Sequence, residues 1–148
     1  MTEPGPKPTI PYKHLYVDAD GISHFADAAL TEFEFKSLTS SEQWLGYKHE
    51  SRMVVQFAVL PPGWVADWHE NPKPQWIIPL SGAWYVEAMD GTRHEFGPGA
   101  FHFGEDQNCR TVDGRTGHLS GTVGDTPCVQ MIVQYEEQPT VDEPGRFR

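Results

Sequence analysis

Three side chains able to move a proton or ligate a metal stand between two glycines: His69, Asn71 and Gln75 lie within the segment Gly63–Gly82, GWVADWHENPKPQWIIPLSG. An imidazole can serve as a general base or a ligand, and an amide can fix an orientation or lend an oxygen. If residues 64–71 run as a strand, its period of two puts Asp67, His69 and Asn71 on one face and Trp68 and Glu70 on the other. Pro72-Lys73-Pro74 then interrupts the strand, because proline fixes φ and has no N–H for a ladder. Gln75 is expected to open a returning strand beside the first, so that one hairpin aims three polar side chains into one cavity.

This spacing resembles the first motif of the cupin superfamily: G, five residues, H, one residue, H, three or four residues, E, six residues, G. Gly63, His69, Asn71, Gln75 and Gly82 occupy those places, with Asn71 where the second histidine stands and Gln75 where the glutamate stands. Gly91, Gly97, Gly99, His102 and Asp106 fall on the second motif, with Gly97 replacing a proline and Asp106 an asparagine. A narrower likeness, over about residues 12–135, is to small bacterial single-domain cupins. It is carried by PPGWxxDWH, PxxQ, LSGxxxVExxDG, FGPG and GHxxxxVGDxP. In that group a histidine corresponding to His118 recurs, whereas the place of His102 is usually apolar.

The resemblance implies an all-β jelly-roll barrel and a small-molecule substrate. It also implies a homodimer and one divalent transition metal (Fe, Mn, Ni or Zn) held by His69, Gln75 and either His102 or His118. Two imidazoles and an amide oxygen leave positions open, and the absence of an anionic ligand weakens the hold on the metal. Such a site would support lyase or isomerase chemistry by Lewis-acid activation, or dioxygenase chemistry with iron. A second reading is metal-free acid–base catalysis, as in an epimerase or cyclase, by His69 or His118 with Asp67. A third is a non-catalytic binding module.

Each residue also has a structural role to set beside the functional one. Gln75 could satisfy a buried backbone group, Asn71 precedes a proline as turn residues do, and Asp67 could sit at a strand bend. Glu105 and Asp106 face either the cavity mouth or solvent. Trp84 is expected to line the cavity, with Asn71 and Glu105 as further substrate contacts. His49 and His94 carry no motif and read as surface residues, and Asp18-Ala19-Asp20-Gly21 reads as a turn.

A chain of 148 residues makes one domain: an arm at 1–9, a body at 10–136 and a polar tail at 137–148. The formal charge of −10 argues against a nucleic-acid partner, which needs clustered Lys and Arg. No apolar stretch is long enough for a membrane span and no leader is legible, so a cytoplasmic protein with no membrane partner is expected. Cys109 and Cys128 have no CxxC spacing and are expected to be reduced. A phosphate-cradling glycine loop, a GxSxG elbow and an HExxH pair are all absent from the sequence.

The elements that must position the site are short strands. Thr31–Lys36 alternates strictly, Met53–Leu60 is a continuous apolar run, and Ala83–Met89 and Thr92–Phe96 flank Asp90-Gly91, a strong hairpin signal. Thr39–Glu50 reads as irregular, and Gly104–Gly117 as a long polar binding loop. Gly117–Val123 and Cys128–Tyr135 are expected to form a last hairpin. The count is nine or ten strands with no helix of consequence, a sandwich or a barrel by pattern alone.

Overall fold

The computed structural model describes residues 4–148, so Met1–Glu3 of the expected arm lie outside the described residues. Among the described residues there are twelve strands and no helix: β1 (Ile10–Val17), β2 (Ser23–Leu30), β3 (Phe33–Ser37), β4 (Glu42–Gly46), β5 (Met53–Leu60), β6 (Val65–His69), β7 (Gln75–Ser81), β8 (Ala83–Ala88), β9 (Arg93–Phe96), β10 (His102–Glu105), β11 (His118–Val123) and β12 (Cys128–Tyr135). A six-stranded sheet runs β2-β1-β10-β7-β12-β5, and a four-stranded sheet runs β6-β11-β8-β9. The hairpin β3–β4 is a separate two-stranded sheet. The all-β architecture is compatible with a jelly roll, but the sheets do not close into the expected barrel.

Leu15, Leu60, Ile77 and Cys128 from the larger sheet meet Trp84, Val86, Ala88 and Phe96 from the smaller one in a single buried cluster. Burying each large side chain is worth about 1.5–3 kcal/mol, which is why the two sheets face each other. On the outer face of the larger sheet a second cluster forms from Tyr12, Phe103, Tyr135 and Phe147. Phe147 belongs to the tail, so residues 137–148 are not a loose appendage. Tyr12 Oη donates to the Phe147 carbonyl at 2.7 Å and accepts from its N–H at 3.0 Å.

Two expected hairpins do not exist. β6 pairs with β11, while β7 pairs with β10 and β12. Likewise β11 and β12 lie in different sheets. Each connection crosses between sheets, and alternation along a strand says which residues share a face without naming the neighbouring strand. The Asp90-Gly91 hairpin does form, with β8 antiparallel to β9. Thr39–Glu50 is not wholly irregular: β4 pairs with β3, and Trp44 packs on Phe35 at 5.3 Å between ring centres.

Both faces of β12 are covered: Val133 and Tyr135 pack in the outer cluster, while buried Gln130 lies on the same side of the strand as Cys128 and Ile132 of the inter-sheet core. The space between the sheets is therefore lined by polar groups at one end.

Candidate functional site

β6 and β11 bring His69 directly opposite His118, with ring centres 4.4 Å apart. The approach depends on Gly117. Its φ is +66°, and a Cβ there would fall 2.1 Å from the His69 carbonyl oxygen, so no other residue could start β11 so close to β6. Gly104 does similar work on β10: a Cβ would lie 2.4 Å from Asn71 Nδ2. Its absence lets the Asn71 amide lie against β10 and reach Asp106.

Asp106 is the centre of the network. It is fully buried, accepts from Asn71 N and Nδ2 at 2.9 Å each, and sits 2.6 Å from His118 Nδ1. Burial alone would raise its carboxyl, but the charge of His118 and these hydrogen bonds hold it below the usual range. An ionised carboxylate only accepts, so His118 Nδ1 is the donor to Asp106, and its Nε2 is the ring nitrogen left without a partner. His69 is fixed in the same tautomer, its Nδ1 donating to the Asp67 carbonyl at 2.7 Å. Both Nε2 atoms are thus left without hydrogen-bond partners on two adjacent rings. The network continues outward: Gln75 Nε2 donates to Asn71 Oδ1 at 2.8 Å, and Gln134 Nε2 donates to Gln75 Oε1 at 3.0 Å.

The expected residues divide accordingly. His69, His118, Asn71 and Gln75 come together, with Asp106 in the orienting position that the sequence reading gave to Asp67. The Asp67 side chain is exposed and accepts from the Trp68 N–H at 2.8 Å. His102 is buried beside Trp84 and Phe96, with ring centres 5.6 and 4.8 Å away. Burial and the nearby His118 push its imidazole down to about 3, so it is neutral at any physiological pH. Trp84 is buried in the inter-sheet core.

Glu105 does not join the group. Strand alternation turns it to the outer face, where Arg146 grips it through Nε at 3.0 Å and Nη2 at 2.8 Å. His14 Nε2 lies 3.0 Å from the same carboxylate, and Gly145 N–H donates to His14 Nδ1. Burial opposes ionisation, yet these partners bring Glu105 down to about 2. His49, expected at the surface, is half-buried against Tyr135 and Phe147 and sits 2.8 Å from Glu137.

As expected, both cysteines are free. Burial pushes the Cys109 thiol up to about 12, which removes it as a nucleophile. A cleft of about 630 Å³ lies along the β3–β4 hairpin and is lined by none of these site residues. Among the described residues no group of three or more His, Cys, Asp and Glu is placed to hold a metal ion, and no helix is long and apolar enough to cross a membrane.

Sequence reasoning underrated Asp106 and missed Ser120, Gln130 and Gln134. The available signal for Asp106 was its place on the second motif, and for the glutamines their shared face on β12. Compared with known proteins, the chain matches no family model and shows no significant similarity to any curated protein.

Proposed function

We propose that this chain is a small cupin-like jelly-roll protein whose His118–Asp106 pair transfers a proton on a small organic molecule, as an isomerase, epimerase or cyclase requires. One observation carries the reading: the His118 ring is fixed by a buried carboxylate at Nδ1 while Nε2 stays free, 4.4 Å between ring centres from a second imidazole with the same free edge. Asp106 holds the tautomer and stabilises the imidazolium that forms when Nε2 takes a proton. His69 is placed to give or receive the second proton. The test is solvent deuterium incorporation at carbons next to carbonyl groups, over a panel of small ketones and lactones in excess chelator. His118→Gln is expected to abolish it with the fold intact by circular dichroism. Saturable binding of a compound with no exchange would instead mark a non-catalytic binding protein.

A second reading has its own support. Pinned Nδ1 atoms with free Nε2 atoms are also how paired metal ligands are oriented, so His69 and His118 would hold one divalent ion. A bound ion would supply Lewis-acid activation, or oxygen chemistry if it were iron. The fit is incomplete: the Gln75 oxygen expected as the third ligand already accepts from Gln134, and His102 packs among Trp84 and Phe96. Metal analysis of tag-free protein, with His69→Ala and His118→Ala, separates the readings. Near-stoichiometric metal lost in both variants would replace the acid–base reading.

The partner we propose is a second copy. Edge strand β5 leaves Met53, Val54, Val55, Phe57 and Val59 between 47 and 64% exposed, on both of its faces. Apolar patches of this kind mark interfaces. MVVQFAVL carries no charge in a chain of net −10, so two copies can meet there antiparallel about a two-fold axis without opposing like charges. Phe57→Lys is expected to convert a dimer into a monomer by analytical ultracentrifugation. A wild-type monomer at micromolar concentration would remove the proposal.

A further inference from the structure

Three polar atoms between the sheets are buried and have no hydrogen-bond partner: Trp84 Nε1, Ser120 Oγ and His102 Nδ1. Native proteins leave few such groups, because each forfeits the hydration it had in the unfolded chain. Here three come from facing strands of both sheets. Trp84 and Ser120 stand on paired strands, with Ser120 opposite Val86 and Trp84 opposite Thr122. His102 comes from β10 across the gap, its ring centre 5.6 Å from that of Trp84. Phe96 stacks on His102 at 4.8 Å and Phe25 meets it edge-on at 6.1 Å.

The types of these atoms say what they lack. An indole N–H only donates, and a serine hydroxyl readily does so, so the missing partner is an acceptor oxygen between apolar walls. Asp106 already places a negative charge in the same interior, and the whole chain is acidic. An anionic ligand is therefore disfavoured against a neutral one. Ser120 lies two residues from His118 on β11 and both are buried, a separation of roughly 7 Å along a strand. That span suits an oxygen held at one end and a carbon one bond beyond the carbonyl at the other.

We propose that Trp84 Nε1–H and Ser120 Oγ–H form a carbonyl subsite, and that the substrate is a small neutral ketone, aldehyde or lactone bearing hydrogen on the adjacent carbon. The proposal rests on the acid–base reading and deepens it. His118 Nε2 takes the proton, the C–H bonding pair becomes the C=C bond, and the carbonyl π pair moves onto the oxygen as an enolate. The two donors stabilise that oxygen as charge develops. Return of the proton from the His118 imidazolium to carbon closes the cycle with no other reactant.

The probes are acetone and cyclohexanone, titrated into protein labelled with ¹⁵N at its tryptophan indoles. The Trp84 cross-peak is assigned with Trp84→Phe, or by its contacts to the His102 ring if that variant does not fold. Cyclohexanone is expected to move this cross-peak saturably, and Ser120→Ala to raise the apparent Kd about tenfold, the effect of one lost hydrogen bond. Deuterium incorporation into the same ketone is followed in parallel. A saturating shift without exchange keeps the carbonyl subsite and removes the acid–base reading. Exchange that depends on His118, with an unmoved Trp84 signal, overturns the subsite and keeps the base. Tighter binding of acetate than of cyclohexanone also overturns the proposal, and silence in both experiments removes both.

Discussion

Glu105 and Asp106 are adjacent, both fully buried and both held ionised, yet they serve opposite faces of the larger sheet. Glu105 is closed on all sides. Two guanidinium nitrogens, the His14 ring and the Thr140 N–H and hydroxyl fill its oxygens, and both nitrogens of His14 are engaged. Among the described residues the Asp106 carboxylate has an imidazole as its one ionisable partner, and that ring keeps Nε2 without a partner. The first arrangement ties the tail to the sheet and leaves no group able to react. The second leaves a ring nitrogen unengaged on an imidazole whose orientation the carboxylate fixes. What a buried carboxylate does here depends on whether its partners have anything left to offer.

Arg146→Ala gives the largest break in the comparison. It leaves Glu105 buried without its cation, a change that costs about 3–5 kcal/mol, and it removes the guanidinium packed 4.4 Å from the Phe147 ring centre. Chemical denaturation is expected to register that loss, and the melting temperature to fall by roughly 10 °C. Because the Glu105 carboxyl is depressed from 4.5 to about 2, its contribution is complete above pH 4.5 and drains away as pH falls towards 2. Wild-type stability should therefore decline across that window, and the variant should show a shallower acid limb. An unchanged melting temperature would mean that the tail is not held by this pair.

Asp106→Asn and Glu105→Gln sharpen the contrast with changes of the same size in neighbouring residues. The amide at 106 would offer an N–H to His118 Nδ1 and reverse the tautomer, so carbonyl-directed proton exchange is expected to fall about 10²–10⁴-fold. Stability should drop by only about 1–3 kcal/mol. Glu105→Gln should reverse the pattern, losing more stability and leaving exchange within about twofold of wild type once the protein is folded. Equal losses of activity in the two variants would refute the division of roles.

That division was only half legible in the sequence. Period-two alternation and Asp-Gly or Gly-Pro-Gly turns located the strands, because those signals are local. Which strand lies beside which is not local: β6 joins β11 across about fifty residues of chain. Hence His69 and His118 were named as candidates without any means of placing them together. Asp106 was hidden for a different reason. An acidic pair at a strand end reads as solvated, and only β10 alternation together with the tail reveals that both members are buried. The tail itself offered one clue, Phe147 between Arg146 and Arg148, an aromatic in a segment otherwise too polar to pack.

His24 supplies the third and smallest test, a histidine given two carboxylates instead of one. Its Nε2 is 2.5 Å from Asp18 and its Nδ1 is 2.9 Å from Asp90, so both nitrogens must carry protons to satisfy acceptors on either side. Burial opposes the charge, but the two aspartates win and raise the imidazole above its ordinary value. The clamp between the turn after β1 and the β8–β9 turn is therefore fully present below about pH 6.5 and is lost as pH rises through the raised folded value. His24→Gln should cost about 1 kcal/mol or less at pH 5.5 and progressively less towards pH 9, measured by urea unfolding at each pH. With no nitrogen free, the same substitution should leave proton exchange unchanged. An activity loss there would show that a second bound nitrogen does not silence an imidazole, and the contrast drawn between Glu105 and Asp106 would lose its basis.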